Sequence, residues 1–196
     1  MSDLEALAET RAWVERAVIG LQLCPFARAP QVRGQVRYVV SAARDPEALL
    51  TDLVEELKHL VAEPAERIET TLLIHPQVLA DFADYNQFLA VADGSLAALG
   101  LEGVIQIASF HPDYRFAGTA PSDVANATNR SPYPTLHLLR EASIEHALAS
   151  FAQPETIFAI NSATMERLGA EGWAALRRQC REDAVAATGA GDHDRS

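Results

Sequence analysis

Thr70-Thr71-Leu72-Leu73-Ile74-His75-Pro76 and Gly103-Val104-Ile105-Gln106-Ile107-Ala108-Ser109-Phe110-His111-Pro112 decide how this chain folds. The first is a nearly continuous apolar run, the pattern of a strand covered on both faces. The second is the same kind of run, and both stop at a His-Pro dipeptide. Between them, Leu79, Phe82, Phe88, Leu89, Ala92, Leu96 and Leu99 recur at helical spacing over 78–99, with Gly100 as the stop. Strand, helix and strand in that order, with a connection of this length, imply strands running the same way.

Upstream the alternation continues. Val36-Arg37-Tyr38-Val39-Val40 is short and β-branched, hence a strand. Asp45-Pro46-Glu47 opens a helix with an acidic N-cap and a proline in its first turn, and a leucine stripe carries it to about Ala62. Residues 3–22 show one buried stripe, with Ser2 and Glu5 forming a capping box. Pro25 and Pro30 end that helix, and 24–34 is expected as loop. Downstream, 111–133 is polar without periodicity. Helices are expected over 134–151, 154–168 and 171–181, with a disordered tail over 184–196. The expectation is one α/β domain over 1–183: a small parallel or mixed sheet of about three strands with helices on both faces. A ferredoxin-like α+β sheet competes, but it needs a hairpin, and no suitable short turn is present.

Composition narrows the function classes. Sixteen basic against 27 acidic side chains leave a net charge of −11 over 196 residues. With a pI near 4.9 and no Lys/Arg run, nucleic acid is not expected as a partner. No apolar stretch approaches the ~20 residues of a membrane span. The acidic, polar start lacks the pattern of a secretory signal, and Cys24 and Cys180 are the only cysteines. Two reduced thiols in a cytoplasmic protein is the expectation.

The chemistry gathers at one edge of the sheet. Parallel strands end at a common edge, where ligands of open α/β sheets usually bind. His75 and His111 would stand there about 5 Å apart on neighbouring strands, or about 10 Å with one strand between them. Either spacing lets two imidazoles converge on one ligand as general acid and base. Each alternatively caps its strand and bonds backbone. In 111–133, Arg115 and Arg130 are expected to grip carboxylate or phosphate with paired donors, helped by Asn126 and Asn129. His137 is expected at the surface. Cys24 ends a helix, where its thiol is a poor nucleophile. It gains a role only if the fold brings it to His75 or His111, as nucleophile or zinc ligand.

Several stretches also resemble a known family. Leu23-Cys24-Pro25-Phe26-Ala27, Glu69 through Pro76, Asp84-Tyr85-Asn86, Gln106 through Phe116 and Asn126 through Pro134 are similar to domain-of-unknown-function family 1415. The likeness covers about 5–180 and implies a cytoplasmic bacterial protein; it implies no catalytic residue. Three readings follow from the residues themselves. One is an enzyme acting on a small anionic metabolite at a His/Arg/Asn pocket. The second is a non-catalytic module binding a ligand or partner there. The third is a zinc-dependent hydrolase using His75, His111 and Cys24; no cofactor other than such a zinc is expected.

Overall fold

The computed structural model describes residues 2–149, 153 and 156–189. Its first helix, α1 (Asp3–Trp13), is closed by the expected capping box, Ser2 Oγ accepting the Glu5 amide at 3.2 Å and the Glu5 carboxylate accepting the Ser2 amide at 2.7 Å. A π-helical turn, Val14–Ile19, continues it. A short helix, α2 (Arg28–Val32), occupies part of the expected loop. Pro30 does not prevent it, because in a first turn the missing N–H has no helical partner to lose.

The strands β1 (Val36–Val40) and β2 (Thr70–Ile74) lie where the sequence places them, as does α3 (Pro46–Ala62) between them. The side chain of Asp45 caps α3 by accepting the Ala48 amide at 2.9 Å. The next helix, α4 (Phe82–Leu99), starts later than expected. Its N-cap is Asp81, which accepts the amides of Ala83 and Asp84 at 2.8 and 3.2 Å. It ends at Gly100, whose φ of 66° is a left-handed conformation that glycine adopts without steric cost. Strand β3 (Ile105–Phe110) follows.

Two expectations about the C-terminal third are corrected. Residues 135–140 are not helix but a strand, β4 (Thr135–Arg140), and only then does α5 (Glu141–Ala149) begin. The alternation in Thr135-Leu136-His137-Leu138 explains it: Leu136 and Leu138 enter the core below α3 and α4 while His137 faces the other side. His137 is therefore not a surface residue. It is half-buried on the sheet, its Nε2–H donating at 2.7 Å to Thr70 Oγ1, and burial pushes its pKa down to about 4. The two helices expected over 154–168 and 171–181 are both present and meet at Gly169, whose φ of 67° and ψ of 173° are not helical; together they span α6 (Ile157–Gly189). The second of them runs past 184, where the tail was expected to begin; 190–196 lie outside the described residues.

The sheet order is β1-β2-β4-β3. β1 and β2 are parallel, and β4 is antiparallel to both β2 and β3. Three strands thus point one way with β4 set against them, so the sheet is mixed. β3 and β4 are antiparallel neighbours, but 111–134 joins them in place of a tight turn. Helices α3 and α4 cover one face through Leu53, Leu57, Tyr85 and Phe88. The opposite face carries Leu72, packed with Trp13 of α1 and with Met165 and Trp173 of α6.

Candidate functional site

With β4 between them, β2 and β3 are two strand spacings apart, about 10 Å, and both end at the same edge. His75 follows β2 and donates its amide to Pro134 O at 3.0 Å. His111 follows β3 and donates its amide to Asn129 O at 3.2 Å. Both side chains are fully closed to solvent, at 0% exposure.

The two imidazoles do meet a common group, and it is Tyr85 of α4. The His75 ring stacks on Tyr85 with centroids 5.7 Å apart, and the His111 ring lies 5.0 Å from it, tilted by 40°. The phenol oxygen fastens the edge by donating to Thr135 O at 2.9 Å and accepting the Phe110 amide at 3.1 Å. Desolvation raises the Tyr85 pKa well above its usual value.

One nitrogen of each ring holds the segment that leads into α4. His75 Nδ1 lies 3.1 Å from Val78 O, so that nitrogen carries the proton. Its Nε2 is then a bare lone pair, buried without a partner among the described residues. His111 Nδ1 accepts the Asp113 amide at 3.0 Å, so its proton sits on Nε2 and is donated to Leu79 O at 3.2 Å. Leu79 has a φ of 57°, a left-handed conformation that leucine rarely adopts, and the imidazole bond helps to hold it there. Burial pushes His75 down to about 4 and His111 below its ordinary value, so both rings are neutral at pH 7.

Outside this sealed layer lies an open hollow of about 620 Å³. The N-terminal turn of α4 supplies Asp81, Phe82 and Asn86, and the segment after β3 supplies Asp113, Arg115 and Arg130. Phe82 divides the two levels, its ring 5.4 Å from His111 and 5.3 Å from Tyr114. Arg130 is half-buried, its Nε donating to Tyr114 O at 3.2 Å and one terminal nitrogen donating to Pro121 O at 2.9 Å. Burial lowers its pKa, and the charge of Asp113 acts in the opposite direction. Arg115 is exposed, and no described residue forms a hydrogen bond or ion pair with its side chain.

The asparagines expected beside the arginines serve the loop instead. Asn126 Oδ1 accepts from the Phe116 amide and the Thr119 hydroxyl at 3.0 and 2.8 Å, and Nδ2 donates to Ala120 O at 2.9 Å. Asn129 Nδ2 donates to Ser109 O at 3.2 Å. Cys24 follows Leu23, which packs on the face opposite to that of His75, and burial pushes its thiol pKa up. Among the described residues, no group of three or more His, Cys, Asp or Glu is arranged to hold a metal ion. His75, His111 and Cys24 are therefore not assembled into a zinc ligand set.

Tyr85 is the residue the sequence reading missed as a part of this edge. Its signal was present: Phe82, Tyr85 and Phe88 succeed one another at i, i+3 and i+6, so the tyrosine shares the buried stripe of α4. Asp81, as an N-cap, was likewise legible from its place before the stripe.

A model of the family described as "Protein of unknown function (DUF1415)" matches residues 5–175. The chain belongs to the DUF1415 family. No curated protein and no solved structure matches it. The DUF1415 match takes in every element of the edge just described, from β2 through α4 and the 111–134 segment to β4. Among the described residues, no helix is long and apolar enough to cross a membrane.

Proposed function

We propose that this protein binds a small anionic ligand in the hollow at the C-terminal edge of β2 and β3, without a reaction catalysed by the histidines. The observation that carries this reading is the exposed Arg115, without an acidic partner among the described residues, beside the half-buried Arg130 in one hollow of about 620 Å³. Two guanidinium groups offer paired donors to a carboxylate or phosphate. Arg130 is already held in place by two carbonyls, so part of the ordering cost of binding is met in advance.

The binding reading is favoured over the catalytic one by the state of the imidazoles. A general base must reach the proton it removes, directly or through one water. His75 and His111 are closed to solvent and spend ring nitrogens on Val78, Leu79 and Asp113, and Phe82 packs against His111. Their role in this reading is to fasten the 75–81 segment, and so the rim of the hollow. The two free thiols suit a reducing compartment, and we read the protein as cytoplasmic.

The test is an NMR titration of the full chain with glutarate and with inorganic phosphate. Saturable shifts are expected at the amides of 81–86 and 113–115, and Arg115→Ala should weaken binding at least tenfold while the fold is unchanged. Shifts scattered over the surface, or indifferent to Arg115→Ala, remove the reading. Chemical conversion of a bound ligand on long incubation returns the catalytic one.

A further inference from the structure

The hollow is not simply basic. Asp113 and Asp81 face it together with Arg115 and Arg130, two formal charges of each sign on one lining. Asp113 forms no side-chain hydrogen bond and no ion pair among the described residues. Asp81 spends one carboxylate oxygen, Oδ1, on the Ala83 and Asp84 amides. The two arginines and two aspartates share the hollow without forming a salt bridge with one another, so carboxylates and guanidinium groups alike remain available to a ligand. A ligand that is only anionic would meet two like charges there, each repelling it. It would also approach a chain whose net charge is −11, a field that disfavours anions at long range.

From this we infer that the ligand is zwitterionic: a small molecule with an acidic group for Arg115 and Arg130 and a protonated amine for Asp113 and Asp81. The inference rests on the anion-binding reading above and adds a second, oppositely charged pole to the ligand. The aromatic ring of Phe82 on the same lining suits it further, because an ammonium group is attracted to an aromatic face. A neutral overall charge lets such a ligand approach without the long-range penalty that a dianion meets. Asn86, at the exposed end of the first turns of α4, contributes an amide that can both donate and accept.

The experiment holds chain length constant and varies only the end groups. The full chain is titrated with 5-aminopentanoate, glutarate and 1,5-diaminopentane, which carry one charge of each sign, two negative charges and two positive charges. 5-Aminopentanoate is expected to bind at least tenfold more tightly than either of the others. Asp113→Asn, an exposed substitution that leaves the backbone bond to His111 in place, should weaken 5-aminopentanoate about tenfold and leave glutarate unchanged or tighter. Arg115→Ala should weaken both. Glutarate binding as tightly as 5-aminopentanoate, or indifference of 5-aminopentanoate to Asp113→Asn, overturns the zwitterion while leaving the anion reading in place. Tightest binding by 1,5-diaminopentane, or no localised shift with any of the three, overturns both.

Discussion

The hydroxyl of Tyr85 donates to the carbonyl of Thr135 at 2.9 Å, tying the first turns of α4 to the first residue of the strand between β2 and β3. The same oxygen accepts the Phe110 amide. One side chain therefore satisfies backbone groups on two strands at the edge where the histidines stand.

Tyr85→Phe keeps the ring between the two imidazoles and removes only that oxygen. A partly buried amide and a buried carbonyl then lose this partner, at a cost of about 2 kcal/mol. Urea unfolding of the variant should show the loss with an unchanged m-value. A variant as stable as the parent would mean that the phenol oxygen contributes nothing to this edge.

The two arginines of the hollow should separate by stability. Arg115→Ala removes an exposed side chain without a partner among the described residues and should change stability by less than about 0.5 kcal/mol. Arg130→Ala leaves Tyr114 O and Pro121 O without their donor and should cost about 1–2 kcal/mol. Thermal unfolding of both side by side decides; equal losses would contradict the different anchoring of the two side chains.

Asn126→Ala is expected to be the costliest substitution in the 111–134 segment. Three hydrogen bonds converge on this closed amide, and its removal strands the Phe116 amide and the Ala120 carbonyl, for about 2–3 kcal/mol. Hydrogen exchange should also speed up at Phe116 and Thr119. Exchange unchanged at both positions would place the order of the segment elsewhere.

Acid should destabilise the fold over a defined window. His75 and His137 each titrate near 4 in the folded chain, against an ordinary value of 6.5. Above that value both are neutral in either state. Between pH 6.5 and 4 only the unfolded chain takes up the protons, so stability is lost as pH falls through this range. The loss amounts to about 3 kcal/mol for His75 and less for the more open His137. Urea unfolding at pH 7 and 4.5 measures it, and His137→Gln should flatten the profile. A level profile in the parent protein would refute the assignment of neutral buried rings.

Cys24 should be slow to alkylate. Burial raises its pKa, so less of the reactive thiolate is present at pH 7.5. Iodoacetamide should react at least tenfold more slowly with Cys24 in the folded Cys180→Ser variant than in the same variant unfolded by urea. Equal rates would make Cys24 an open thiol.

Much of the N-terminal half was legible because each element carried its own punctuation. Asp45 and Pro46 open α3, Gly100 closes α4, and the β2 run is buried at every position because both faces are covered. Residues 135–140 were not legible, since Leu136, Leu138 and Leu139 fit a helical stripe as well as an alternating strand. Only the gap between β2 and β3, a tertiary fact, decides between them. The site divides in the same way. Convergence of His75 and His111 followed from two strand ends at one edge, but their sealing followed from Tyr85 and Phe82, which arrive on a helix. Nor could spacing reveal that Asn126 turns inward while Arg115 turns out.

The position of β4 has a consequence for how the chain is made. The strand that joins β2 to β3 is the last of the four to leave the ribosome, so neither neighbour can complete its hydrogen bonding while synthesis is still short of residue 135. Until then the half-built molecule offers bare strand edges from an apolar run, the surface on which nascent chains stick to one another. Closure waits for pairings distant in sequence, so folding should be slow for a domain of this size, and a nascent-chain chaperone would have most to shield in that interval.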